Sequence, residues 1–191
     1  MPYTDYNWID QRLAVGGRIE EYADLPFDAI VCLQTEGAQD EHRLPGAAEL
    51  GDVVYQWLPM TDGPTDGCLE HFGQVAALIE AWHSQDKRVL VHCWAGVSRS
   101  VSAVVYYLMR TQGLSYAAAL ERVRLARPQA HPNPGFEVAL RRRHGEELDN
   151  ATLHALAEGW RTLLRESYGV EDDEERIWRD MGGRLPGPTS G

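Results

Sequence analysis

A mixed, mainly parallel α/β sheet covered by helices on both faces is the fold class the sequence predicts. Three observations carry it. Apolar runs of strand length alternate with segments of helical periodicity, the order that lays helices over a largely parallel sheet. The run Phe-Asp-Ala-Ile-Val-Cys-Leu at 27–33 is mostly apolar, as in a parallel strand buried on both faces. Lys87-Arg88-Val89-Leu90-Val91 leads through a short loop into Val101, Val104, Val105, Leu108 and Met109, spaced as one buried helix face.

The other elements follow in order. Tyr6–Ile9 and Leu13–Gly17 read as two short strands or a hairpin, with Gly16 and Gly17 ending the second. Arg18–Leu25 reads as a short helix stopped by Pro26. Residues 34–51 are polar, contain Pro45 and Gly46, and read as a broken helix. Val53–Leu58 is the next strand, ended by Pro59, and residues 60–67 form an acidic irregular loop. Leu69, Phe72, Val75, Ala76, Ile79 and Trp82 mark a helix over 69–83. The helix after Ser100 ends near Gly113, a left-handed cap. Ser115 caps the following helix, which Pro128 terminates. Asn133 and Pro134 are N-cap and first residue of another, running to about His144.

Beyond residue 144 the character changes. The last 47 residues hold 5 of the 18 Lys/Arg but 11 of the 29 Asp/Glu, so more than half of the net charge of −11 lies there. The domain organisation read from this is a main domain over 1–144 and an acidic helical C-terminal extension over 145–191. Asp149-Asn150 starts a helix with Leu153, Leu156, Trp160, Leu163 and Leu164 on one side. The acidic run 171–175 starts another, with Ile177, Trp178 and Met181 as its apolar face, and the Pro/Gly/Ser-rich end is read as disordered. The apolar stripe packs either on the main domain or on a partner or second copy.

The acidic balance argues against nucleic acid or an anionic membrane as principal partner. No apolar run is long enough to span a bilayer, and the first residues lack a secretory pattern. Three cysteines make no disulfide framework, and a reducing, cytoplasmic setting is expected.

The chemistry concentrates in His92-Cys93-Trp94-Ala95-Gly96-Val97-Ser98-Arg99-Ser100. A tight loop opening a helix aims backbone N–H groups inward and makes an anion cradle, here over Trp94, Ala95, Gly96, Val97 and Ser98. The same positive potential favours thiolate over thiol at Cys93, which makes it the candidate nucleophile. Arg99 offers a planar fork for two phosphate oxygens. Gly96 lets the backbone approach the ligand. Ser100 places a hydroxyl near the sulfur, and His92 fixes the loop by hydrogen bonds.

Cys-x5-Arg-Ser after a strand resembles the phosphate loop of cysteine-based protein tyrosine phosphatases. The stretch His-Cys-x-Ala-Gly-Val-Ser-Arg-Ser is most similar to their dual-specificity branch. The resemblance covers residues 5–144 and implies that compact fold, with no metal or cofactor. Asn133-Pro134-Gly135-Phe136 is similar to a stretch in which an Asn braces the loop; a plain helix cap is the other reading. The family keeps an acid about thirty residues before the cysteine, on a loop after a strand. Asp62 fits that register, and Asp66 lies in the same loop; each is followed by Gly, so turn chemistry does not choose between them.

The reaction implied is attack of Cys93 on a phosphomonoester to give a cysteinyl-phosphate. Arg99 and the loop amides hold the equatorial oxygens, and Asp62 protonates the leaving oxygen. Trp94 and Val97 stand where phosphoinositide-directed relatives tend to carry lysines. A phosphotyrosine protein or peptide is therefore the expected partner, with phosphoserine or phosphothreonine slower, and phosphate, sulfate or vanadate as active-site anions. Trp94 either meets a substrate ring or packs under the loop. A phosphoinositide or inositol-phosphate phosphatase is the alternative within the chemistry. A phosphate-binding module without turnover and a rhodanese-like sulfur transferase are the alternatives outside it. The chain is expected to be a monomer or a weak homodimer through its extension. Cys32 and Cys68 are candidates to trap an oxidised Cys93 as a disulfide, or have no redox role.

Overall fold

The computed structural model of the chain describes residues 4–35, 50–63 and 67–169, with Ile177 and Met181. The readings for most of 34–51, for Asp66, and for the acidic run and terminal segment beyond 170 fall outside these residues. The chain divides into two compact units, residues 1–62 with 70–132, and residues 63–69 with 133–191.

The first unit holds one five-stranded sheet: β1 (Thr4–Trp8), β2 (Leu13–Ile19), β3 (Ala29–Cys32), β4 (Val54–Trp57) and β5 (Val89–His92). Their order is β1-β2-β5-β3-β4. β1 and β2 pair antiparallel, and the other three pairings are parallel. The sheet is thus mixed and mainly parallel, as expected. All four residues of β3 and of β5 are buried, which accounts for their lack of polar alternation.

The helices are α1 (Cys68–His83), α2 (Arg99–Gln112), α3 (Tyr116–Ala126), α4 (Pro134–Arg143) and α5 (Asn150–Tyr168). Phe72, Val75, Ala76 and Ile79 of α1 are fully buried, as their spacing requires. α2 packs on β2 and β5, and α3 packs on α2. α2 is capped at its end by Gly113 with φ 66°. α3 is capped at its start by Ser115, whose hydroxyl accepts from Ala118 N. On the sheet, Ala14, Ile19, Tyr22, Phe27, Ile30 and Leu90 form one apolar cluster.

Two expectations near β2 are corrected. No helix forms over 18–25, and Gly16-Gly17 does not end the strand. β2 runs on to Ile19, which pairs with Thr4 of β1, and Arg18 N donates to Trp94 O at 2.7 Å in the loop after β5. The chain then turns through Asp24 at φ 59°, which a helix excludes.

In the second unit α4 and α5 share a core. Val138 packs with Leu153, Ala157 and Trp160, and Ile177 and Met181 close over them. The apolar stripe of α5 is therefore covered from within the chain. Asp149 caps α5 by accepting from Thr152 N at 2.8 Å. Among the described residues no helix is long and apolar enough to cross a membrane.

Candidate active site

Parallel pairing brings the carboxyl ends of three strands together. Gly16 of β2 and Cys32 of β3 both lie in register with His92 of β5. Cys93 N donates to Gly16 O at 3.2 Å, and Leu33 N to His92 O at 2.8 Å. The chain leaves the sheet there, turns through residues 94–98, and enters α2 at Arg99.

The carbonyls of this loop are held from behind. Trp94 O accepts from Arg18 N at 2.7 Å, Val97 O from His131 N at 2.9 Å and Ser98 O from Ser102 N at 2.7 Å. Gly96 O accepts from Arg127 Nε at 2.5 Å, and Ala95 O from Arg127 Nη2 at 3.4 Å. Every described peptide bond is trans, so each carbonyl that points outward turns the next residue's N–H the opposite way. The N–H groups of Ala95, Gly96, Val97 and Ser98 consequently converge on one side. Amides turned to one side in this way have the arrangement an anion cradle needs, and it requires no charged side chain to form.

Arg127, just past the end of α3, was not singled out in the sequence. Its side chain is fully buried. Besides the two loop carbonyls, Nη1 donates to Asp5 Oδ1 at 2.9 Å and to Asn7 Oδ1 at 2.8 Å, and Nη2 to Asp5 Oδ2 at 2.5 Å. All five guanidinium protons thus have acceptors, which satisfies a buried cation. The only local signal was a cation at a helix end. Its partners on β1 lie more than a hundred residues away, beyond any sequence window.

The glycines make this brace fit. Gly96 has φ 64°, and a Cβ there would strike Arg127 Nη2 and come within 2.5 Å of Gly17 N. A Cβ on Gly17 would strike Asp5 Oδ2 and lie 3.2 Å from the Ala95 carbonyl. These glycines let backbone pass against backbone behind the loop.

Cys93 is 1 % exposed, and its Sγ lies 3.3 Å from Ser100 Oγ. Ser100 Oγ also donates to Gly16 O at 2.9 Å. The Ser100 hydroxyl can therefore turn its one proton to the sulfur while Gly16 O keeps its bond from Cys93 N. His92 is fully buried, with Nε2 at 3.2 Å from the Tyr22 hydroxyl. Burial pushes the Tyr22 phenol up, so it keeps its proton against the imidazole.

Arg99 is buried, and its Nη1 donates to Thr35 Oγ1 and to Met60 O, each at 3.3 Å. Asp62, two residues past Met60, accepts from Ser98 Oγ at 2.6 Å, and its Oδ2 lies 3.8 Å from Arg99 Nε. Cys93 and Ser100 are thus brought together as one pair, and Asp62, Ser98 and Arg99 as one triad. Asn133 is seen as the cap of α4, its side chain accepting from Gly135 N at 2.8 Å.

Trp94 does not pack under the loop. It is 41 % exposed, and the Arg18 guanidinium stacks 4.8 Å from its ring centroid. Cys32 is a buried free thiol pushed up to about 11 by burial, so it holds little thiolate with which to trap an oxidised neighbour.

Outward carbonyls, inward amides and a thiol at the start of the turn are the geometry of a cysteine phosphate loop, set at the carboxyl edge of a mainly parallel sheet. The comparisons name the family. The chain belongs to the dual specificity phosphatases: residues 19–144 match the family model described as "Dual specificity phosphatase, catalytic domain". It is 37 % identical over 130 residues to dual specificity protein phosphatase 22-B of Danio rerio, covering 67 % of this chain and 66 % of that protein. It is 40 % identical over 106 residues to dual specificity phosphatase 28 of Homo sapiens, covering 56 % of this chain and 57 % of that one. The chain thus spans somewhat over half to just under two thirds of these relatives. The crystal structure of the human phosphatase 28 superposes with a TM-score of 0.61 at 28 % identity, over 75 % of this chain and 95 % of that one.

Proposed function

We propose that the chain is a metal-independent protein phosphatase that hydrolyses phosphotyrosine, and more slowly phosphoserine or phosphothreonine, through a cysteinyl-phosphate. The observation that supports this is the set of loop carbonyls bonded to donors outside the loop, which turns four amides the other way in a loop that begins at Cys93 and ends at Arg99.

In the first step the Cys93 thiolate forms an S–P bond as the P–O bond to the substrate breaks. The loop amides and Arg99 stabilise charge on the three equatorial oxygens. Asp62 gives its proton to the leaving oxygen. In the second step water attacks phosphorus, Asp62 takes the water proton, and the sulfur leaves as thiolate with the Ser100 hydroxyl turned towards it. The bond from Ser98 and the 3.8 Å approach to Arg99 support Asp62 for the acid role by position, since both contacts are with the loop that carries Cys93 and its helix.

A protein or peptide substrate is favoured by the loop rim. Trp94 offers an exposed ring and Val97 is apolar, so the loop adds no lysine for a polyphosphorylated headgroup. The buried free thiols of Cys32, Cys68 and Cys93 suit a reducing, cytoplasmic setting.

The test compares kcat/KM for phosphotyrosine peptide, phosphothreonine peptide and phosphoinositide, with vanadate as inhibitor. The phosphotyrosine peptide is expected to be the best substrate. Cys93→Ser is expected to abolish turnover, and Asp62→Asn to lower it by about 10²–10⁴-fold. Preference for the phosphoinositide overturns the substrate assignment. A silent Asp62→Asn with a crippled Asp66→Asn overturns the acid assignment.

A further inference from the structure

Ser98 begins α2 but does not cap it. It sits at the N-cap position, and its side chain makes no bond to the first turn of its own helix. A serine there ordinarily accepts from an N–H two or three residues on. Here the hydroxyl reaches across to the loop after β4 and donates to Asp62 Oδ1 at 2.6 Å. Ser98 is 2 % exposed, whereas the Asp62 side chain is 31 % exposed, so the buried partner anchors the accessible one.

We propose that Ser98 is a positioning residue that decides which oxygen of Asp62 carries the transferred proton. The inference rests on the proposed acid role of Asp62. A carboxylic acid has one proton and two oxygens, and a serine hydroxyl has one proton to give. With Ser98 donating to Oδ1 at 2.6 Å, a proton on that oxygen faces a close donor, whereas Arg99 Nε stands beyond hydrogen-bond reach of Oδ2, so the acidic proton resides on Oδ2. Oδ2 is the oxygen 3.8 Å from Arg99 Nε, the guanidinium to which the proposed mechanism gives the phosphoryl oxygens. As the substrate P–O bond breaks and the S–P bond forms, the Oδ2 proton passes to the leaving oxygen and Asp62 becomes a carboxylate. The Ser98 bond strengthens at that moment, because a hydroxyl binds a carboxylate more tightly than a neutral acid. An interaction stronger in the transition state than in the ground state accelerates the step.

This effect scales with how much the leaving group needs a proton. The test measures kcat/KM for Ser98→Ala and Ser98→Thr over aryl and alkyl phosphates of rising leaving-group basicity, and inhibition by inorganic vanadate. Ser98→Ala is expected to lose about 10- to 100-fold more on phenyl and alkyl phosphates than on p-nitrophenyl phosphate, the worth of one charge-assisted hydrogen bond. Ser98→Thr is expected to restore the wild-type dependence. A Ser98→Ala loss that is uniform across the series, or that tracks a matching loss of vanadate affinity, overturns the proposal and makes Ser98 a phosphate-holding residue only. Asp62→Asn separates the two levels. If Asp62→Asn shows the leaving-group dependence and Ser98→Ala does not, the Ser98 role fails alone. If Asp62→Asn lacks it, the acid assignment fails and takes the Ser98 role with it. Should Ser98→Ala not fold, Ser98→Cys, near in size and a weak donor, is expected to shift the dependence in the same direction.

Discussion

Arg127→Met isolates the brace behind the phosphate loop. The substitution keeps an apolar stem and removes all five donors. Asp5 then loses its bidentate partner, and Gly96 O and Ala95 O lose the donors that turn them outward. Removing one member of a buried ion pair costs about 3–5 kcal/mol. The Asp5 side chain is 20 % exposed, so water relieves part of the loss and places it in the lower half, about 3–4 kcal/mol. For a chain of this size each kcal/mol moves Tm by about 2–4 °C, so Tm falls by about 6–16 °C. The catalytic effect is separate. Two carbonyls released behind the loop free the N–H groups of Gly96 and Val97 to turn away from the ligand. Losing one such donor costs about 10²–10³-fold in turnover. The assay is denaturant unfolding of Arg127→Met and Asp5→Asn, followed by vanadate inhibition and kcat/KM well below each variant's Tm. Both variants are expected to be destabilised, with Arg127→Met also weaker for vanadate. A folded Arg127→Met with wild-type vanadate affinity and kcat/KM refutes the claim that this arginine orients the cradle. Unchanged stability in both refutes the ion pair.

Gly96→Ala places a Cβ against Arg127 Nη2 and 2.7 Å from Gly16 C in a left-handed conformation. It is expected to destabilise by at least about 2 kcal/mol and to remove most turnover of an aryl phosphate, whereas wild-type kcat/KM contradicts the close approach. Acidification supplies another check, because burial holds both His83 and His131 below the ordinary histidine value of 6.5. Above that value both are neutral in either state; below it the unfolded chain takes up protons that the folded chain does not, so stability falls as pH drops through about 6.5. Denaturant midpoints between about pH 5 and 8 are expected to show this slope, and the double substitution of both histidines by Gln to flatten it; an equal slope in that variant removes the two as its source.

Much of the molecule is written in local pattern. β3 and β5 were legible as unbroken apolar runs because both faces of each are covered. α1 and α2 were legible from their spacing, and Gly113, Ser115 and Asn133 mark helix ends by chemistry confined to a few residues. The loop from His92 to Ser100 was legible because one short segment holds the thiol, the amides and the guanidinium. Contacts between distant segments were not. The helix read over 18–25 gave way to a longer β2, in which Ile19 pairs with Thr4 and Arg18 N finds Trp94 O, a partner 76 residues on. Arg127 carried no motif that would single it out, and only the fold lays Asp5 and Asn7 beside it. Asp62 was favoured by its register from the cysteine, but its bond from Ser98 and its approach to Arg99 appear only in the fold. Periodicity and motif record what a residue does with its near neighbours. Hydrogen bonds across a sheet edge depend on register between strands, and register exists only once the chain has folded.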